Sequence, residues 1–341
     1  MLPRRQFLAA PAGALMQGGR KIRAAFLGAS HPHAVTKLRL LMSSPGYDLA
    51  GVWEDGAKER AALGNPSGIR WLSRQQVLGD RSIEAVFIES AVKTHGPLAI
   101  EALEAGKHCH IEKPAADNLR DMRRIVDLAK SRRLVIQSGY MWRHNPAAER
   151  ALEAARQGWL GEIYSVQGRM NALMAAAARS EVSLFAGGQM FEMGAHLVDI
   201  VVRLMGRPRR ITPFLRHDGP FEDSLHDNTA AVLEYPRALA ILVSSALQPN
   251  SFSYRALEIF GANGSAVVRP IEPPSLEIDL AQAAGPYQKG RQKVALPPYE
   301  RHAGEIAALA QAIRGEKPLD ATPDTEMAVT EVLLAASKMV A

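Results

Sequence analysis

Lys107-His108-Cys109-His110-Ile111-Glu112-Lys113-Pro114 is the stretch that decides the fold of this 341-residue chain. It reads as a short buried strand that stops on a charged pair followed by proline. Glutamate and lysine are almost never buried without a partner. In an open α/β sheet, ligands bind just beyond the carboxyl ends of the strands. An acid, a base and a proline at such an end mark either a working site or a salt bridge at a turn. The flanking chain decides between them.

Working outward, Pro97 to Ala105 has a helical pattern closed by Gly106, and Ile83 to Ile88 is an apolar strand. Leu119 to Ser131 reads as helix and Leu134 to Ser138 as strand. Further back come a strand at Ile22–Leu27, a helix at Val35–Met42, a strand at Tyr47–Trp53 and a helix at Lys58–Leu63. Strands alternating with helices over about 120 residues predict a parallel, doubly wound sheet. After Tyr140 the rhythm changes. A helix over Pro146–Gln157 leads into strand-like runs at 162–168, 230–235, 239–244, 255–260 and 265–268. Short turns such as Ala262-Asn263-Gly264 favour antiparallel hairpins. Residues 302–314 and 324–340 read as closing helices, and the alanine-rich 172–179 stretch is either loop or helix.

With 47% hydrophobic and 22% charged residues, the composition is that of a globular protein. The formal charge of +6 is misleading, because residues 1–23 hold five basic residues and no acid. The remainder has 36 basic against 35 acidic residues, which argues against a nucleic-acid partner. A single cysteine, Cys109, excludes an intrachain disulfide. No uncharged apolar run is long enough to span a bilayer. Arg4-Arg5-Gln6-Phe7-Leu8, followed by an uncharged stretch through Gly19, has the pattern of a twin-arginine export signal. This predicts a periplasmic protein, or a cytoplasmic one if residues 1–20 form only a basic tail.

Three further stretches carry chemistry. Gly28-Ala29-Ser30-His31-Pro32-His33 lies where a dinucleotide fingerprint belongs, but only Gly28 matches its three glycines. Ser30 could donate to a phosphate. His31 and His33 lack carboxylate or cysteine partners nearby in sequence, so no metal is assigned. Glu54-Asp55 ends the second strand, where an acid binds ribose hydroxyls. A carboxylate there repels a 2′-phosphate, which points to NAD rather than NADP. Finally, Glu192, His196 and Asp199 fall at i, i+4 and i+7. On one helix they would share a face and could form a proton-transfer pair.

In order along the chain, these stretches resemble the Gfo/Idh/MocA family, the relatives of glucose-fructose oxidoreductase and inositol dehydrogenase. The resemblance rests on Val86-Phe87-Ile88 with His95, on Ala102–His108 leading into Glu112-Lys113-Pro114, and on Gly139-Tyr140 with Arg143 and Pro146. Gly158–Ile163, Gly187–Asp199 and Glu258–Ser265 complete it. It implies an α/β chain: a Rossmann domain over 21–140, then an α+β domain over 141–323 with a large, mostly antiparallel open sheet. Helix 324–341 would pack back on the Rossmann domain.

The resemblance also implies Lys113 beside the nicotinamide, a cis bond before Pro114 and His196 as proton acceptor. Glu192 would orient His196 from the place where the family usually has aspartate. Gly28, Ser30, His31, His33, Glu54, Asp55, Glu89, His95, Glu112 and Lys113 would face the cofactor, and Arg143 and Asp199 the substrate. The implied activity is NAD(P)-dependent hydride transfer, with NAD favoured over NADP, to or from a sugar or polyol carbinol, in a homo-oligomer (dimer or tetramer). Two other readings compete: an NAD-using glycoside hydrolase or lyase that oxidises its substrate transiently, and a non-catalytic sugar- or dinucleotide-binding protein.

Overall fold

The computed structural model describes residues 19–64 and 69–339. The expected export signal, 1–20, therefore lies almost wholly outside the described residues. The first sheet holds β1 (Ile22–Leu27), β2 (Tyr47–Trp53), β3 (Ala85–Ile88), β4 (His108–Ile111) and β5 (Ile136–Ser138). All five are parallel, in spatial order β2-β1-β3-β4-β5. The chain reverses direction across the sheet between β1 and β3, and that switch point is where open α/β sheets bind ligands.

Both faces of this sheet are covered, so β3 is buried at every residue. On one face α4 (Val92–Glu104) and α5 (Leu119–Arg132) supply Leu98, Ala102, Ile125 and Ala129 to the core. On the other, α1 (Ala34–Ser43) brings Ala34, Leu38 and Leu41. The second helix on that face is α10 (Ala303–Ile313), which packs Ile306, Leu309 and Ala310 against α1 and β1. The sequence reading placed this segment in the second domain. Its apolar stripe finds its partner on the first, and the Tyr47 hydroxyl donates to the Ile306 carbonyl at 2.9 Å.

Helix α4 begins five residues before its expected start at Pro97. Pro97 lies inside this helix, where it gives up its own hydrogen bond and crowds the carbonyl four residues back without ending the helix. The extra turn encloses His95. Between β2 and β3 lie two short helices, α2 (Ala57–Ala62) and α3 (Arg74–Gly79). Ser73 and Gln76 form a capping box on α3, a signal the sequence reading passed over.

The second sheet has eight strands, in order β13-β12-β11-β10-β6-β9-β8-β7. They are β6 (Ile163–Arg169), β7 (Arg210–Arg216), β8 (Asn228–Glu234), β9 (Leu239–Ser245), β10 (Ala256–Gly261), β11 (Gly264–Val268), β12 (Leu276–Leu280) and β13 (Gly290–Lys293). Every pairing is antiparallel except β6 with β9. Burial alternates along β8 and β9, so one face meets the core and the other does not. The buried face packs on α6 (Pro146–Arg156) and α9 (Ala195–Met205). The 172–179 stretch contributes to α7 (Ala176–Val182), and α8 (Gly188–Glu192) follows. Finally α11 (Pro323–Ala336) lies against both α5 and α9, bridging the two domains.

Candidate active site

Strand β4 delivers Glu112 and Lys113 at its carboxyl end, next to β3 and β5. Lys113 is 2% exposed. Its ammonium pairs with the Glu192 carboxylate and donates to the Glu192 carbonyl at 2.9 Å. The Lys113–Pro114 peptide is cis. His95 does not reach the surface. Its ring nitrogens lie 2.8 and 2.9 Å from the carbonyls of Pro114 and Ser90, which fixes the turn from beneath.

Glu192 and His196 do not share a helix. The chain breaks between α8 and α9 at Met193-Gly194. A side chain at Gly194 would lie 2.4 Å from the Met190 sulfur and 2.5 Å from the Met190 carbonyl, so glycine permits this close turn. The break corrects the expected i, i+4, i+7 face. Glu192 turns to Lys113 rather than to His196.

His196 is buried, with its ring 5.2 Å from that of Trp142 and 5.9 Å from that of Tyr140. Burial, then the nearby Lys113 charge, pushes its pKa well below the usual imidazole value. His196 is therefore neutral at neutral pH. Its Nδ1 is enclosed without a hydrogen-bond partner, which leaves Nε2 as the nitrogen able to meet a ligand.

At the β1–β3 switch point a cleft of about 620 Å³ is lined by Gly28, Ser30, Trp53, Glu54, Asp55 and Thr94, among others. Gly28 has φ +87°, and an added Cβ would sit 2.6 Å from the Ser90 Cβ. Glu54 accepts from the amides of Ala29 at 2.8 Å and Gly56 at 3.0 Å, which presents its carboxylate at the end of β2. The amides that usually cradle a pyrophosphate are rearranged. His31 N–H donates to the Glu89 carbonyl at 2.8 Å, Pro32 has no N–H, and His33 N–H donates to His31 Nδ1 at 3.2 Å. Of the residues at the fingerprint's three glycine places, Gly28 and Ser30 line this cleft.

Behind this loop is a buried charge cluster. The Lys37 ammonium pairs with Glu112, with Glu89 at 2.9 Å and with Glu305 at 3.4 Å, and lies 2.8 Å from His110 Nε2. Burial opposes the ammonium, but the three carboxylates outweigh it and raise its pKa. Burial would also raise Glu112, yet the Lys37 ammonium, its largest charge partner, holds it well below the carboxylate range. Burial, partly offset by Glu112, keeps His31 neutral. Glu305 accepts from His302 Nδ1 at 2.7 Å, and the His302 ring lies 4.6 Å from that of His33.

The structure thus separates the expected cofactor residues into two groups. Gly28, Ser30, Glu54 and Asp55 line the cleft, whereas Glu89, His95 and Glu112 are sealed in the interior. Glu112 does lie beside His33, with its Oε1 3.3 Å from His33 Nδ1. This corrects the premise that the two histidines lack a carboxylate neighbour.

Arg143 and Asp199, expected at the substrate, instead face each other. Arg143 Nε donates to Asp199 at 2.9 Å, and its terminal nitrogens reach Glu326 at 2.6 and 2.9 Å. All three are buried, so this is a clasp between domains rather than a binding surface. Sequence reading missed Lys37, Glu305 and Glu326. Lys37 had a visible signal, because it occupies a core position in the 34-37-38-41 stripe of α1.

Fold and site together define an oxidoreductase in which a Rossmann domain shares a crevice with an open-sheet domain. Residues 22–140 match the family described as "Oxidoreductase family, NAD-binding Rossmann fold", and residues 148–267 match the "GFO/IDH/MocA C-terminal domain". The chain belongs to the Gfo/Idh/MocA oxidoreductase family. It is 28% identical over 244 residues to the dTDP-3,4-didehydro-2,6-dideoxy-alpha-D-glucose 3-reductase of Streptomyces violaceoruber, covering 70% of this chain and 69% of that one. It is 26% identical over 328 residues to the scyllo-inositol 2-dehydrogenase (NAD(+)) of Bacillus subtilis, covering 91% and 92%. The fold also matches an Agrobacterium radiobacter oxidoreductase solved with NAD+, L-tartaric acid and magnesium. That match has a TM-score of 0.79 and 16% identity, covering 94% of this chain and 96% of that one.

Proposed function

We propose that the protein interconverts a secondary alcohol and a ketone on a sugar or polyol, using NAD rather than NADP. The observation that carries this reading is a buried His196, its pKa held low by burial and by the nearby Lys113 ammonium, which is itself buried at the carboxyl end of β4. Related chains named as a sugar-nucleotide reductase and an inositol dehydrogenase support the substrate class. Glu54, held by two loop amides, would take the ribose hydroxyls and repel a 2′-phosphate.

Gly28, Ser30 and Glu54 would hold the dinucleotide, whose nicotinamide supplies the hydride acceptor when bound. His196 Nε2 takes the proton of the substrate hydroxyl. Lys113 donates to the same oxygen and stabilises its developing negative charge in a dry crevice. Glu192, paired with Lys113, fixes the ammonium.

The reading extends to a homo-oligomer. Tyr164, Phe214, Leu239 and Ile241 stand exposed on the outer face of the second sheet and support subunit pairing. Arg4-Arg5 ahead of a short apolar run supports export to the periplasm.

The test uses Lys113→Met. Native mass spectrometry should find NAD(H) on both wild type and variant, while the variant loses about 10²–10³ in kcat on a confirmed substrate. Full turnover by the variant would remove Lys113 from the mechanism. Sugar release without net NADH formation would replace the dehydrogenase reading with transient oxidation.

A further inference from the structure

Two groups of ligating side chains meet at Glu112. His31, His33 and Glu112 bring their donor atoms within 4.8 Å of one another, and Glu89, His110 and Glu112 do the same behind them. Only the first group opens outward, because His31 and His33 keep some solvent contact while Glu89 and His110 are sealed. In it, His33 Nδ1 and Glu112 Oε1 are buried 3.3 Å apart, an ion-pair distance if the imidazole is protonated, and neither has a well-aligned hydrogen bond. Buried polar atoms are nearly always satisfied, so each unsatisfied one needs a reason.

The surrounding charge gives the reason. Glu89, Glu112 and Glu305 surround a single ammonium, Lys37, and all four are buried. Their formal charges leave a net of about −2, which an apolar interior holds only with compensation. Lys37 occupies Oε2 of Glu112 and leaves Oε1 to face His33. In the fingerprint loop His33 stands at the place of the third glycine, and with His31 it brings a ring nitrogen within 4.8 Å of Glu112.

We propose that His31, His33 and Glu112 bind one divalent transition-metal ion of the zinc class at the crevice wall. Two imidazoles and one carboxylate with open positions are the donor set of catalytic zinc and of mononuclear iron(II) sites. Magnesium and calcium, which prefer oxygen-only shells, fit poorly. His302 backs the site: its ring lies 4.6 Å from that of His33, and its backbone takes φ +70°, rare for a non-glycine residue. The site also lies within electrostatic reach of Lys113 and His196.

The test needs neither substrate nor dinucleotide, so it stands apart from the redox reading. Untagged full-length protein is stripped with a chelator and titrated calorimetrically with Zn²⁺. Metal retained after gel filtration is then counted by elemental mass spectrometry. One Zn²⁺ per chain is expected on wild type, with affinity at least about 10-fold weaker in His31→Ala and in His33→Ala. Unchanged affinity in both variants overturns the site. So does the absence of stoichiometric uptake by wild type, which would assign the buried charge to protonated histidines instead. Because a variant could misfold, wild type loaded with Cu²⁺ is also read by pulsed electron paramagnetic resonance. Coupling to two imidazoles is expected, and coupling to none or one overturns the assignment.

Discussion

Gly28 ends β1 with φ +87°, and a Cβ there would press to 2.6 Å against the Ser90 Cβ. The neighbour is a short side chain rooted on its own backbone, so it cannot swing away. Gly28→Ala should therefore cost about 1–3 kcal/mol of stability from strain and overlap. Because the same residue lines the dinucleotide cleft, the variant should also bind NAD more weakly. Urea midpoints and a fluorescence titration of NADH check both effects. Wild-type values in both would show that the turn has room for a methyl group. Of the fingerprint, this glycine was legible in the sequence because its position after a first strand has only one conformational meaning. His31 and His33 were not, because their carboxylate partner lies 79 or more residues away in sequence.

Arg143 holds three elements at once: its own short segment after β5, Asp199 on α9 and Glu326 on α11. Burial alone would lower the arginine pKa, but Asp199 and Glu326 raise it, so the guanidinium stays charged. Removing one member of a buried ion group strands its partners, which costs more than the pair contributed net. Arg143→Met should therefore lose about 3–5 kcal/mol in chemical denaturation. Arg143→Met combined with Glu326→Gln should lose less than the two single losses added together. A loss below about 1 kcal/mol for Arg143→Met would mean that the clasp does not hold the domains. The helices were read from sequence because each has an apolar stripe. What each stripe packs against was not, and α10 shows why: its stripe suits either domain, and only chain geometry selects the first.

Among the described residues, the three histidines held low most strongly, His31, His144 and His196, dominate the acid response; His108 is also lowered but is less deeply buried. Burial lowers the pKa of His196 and His31 well below 6.5, and that of His144 to about 4. Folded, these rings stay neutral; unfolded, they protonate near 6.5. Unfolding below that pH takes up protons, so their contribution is complete above about pH 6.5 and falls as the pH drops. Each fully buried ring adds a slope of about 1.4 kcal/mol per pH unit within its window. His31 and His144 keep some solvent contact, so their share is smaller. A second decline should begin only below about pH 4.5. There Glu112, Glu305 and Glu326, which their cationic and hydrogen-bonding partners hold low against the effect of burial, begin to protonate in the unfolded chain. Denaturation midpoints at pH 7.5, 6.0 and 5.0 in chelator measure the first stage. Equal stability at all three would contradict neutral buried histidines.

Although β7, β12 and β13 were not legible in it, the sequence by itself determined the alternating order of the first domain, its parallel sheet, five of the eight strands of the mostly antiparallel second sheet and the strand end that carries Lys113. These follow from periodicity, burial preference and turn chemistry, which act over a few residues. Only the tertiary structure decided that Glu192 serves Lys113, that Arg143 and Asp199 clasp the domains, and that Glu112 faces His31 and His33. Such pairings depend on which strand ends lie side by side and where a helix breaks. Charged groups remote in sequence become partners only because burial leaves them no water to pair with.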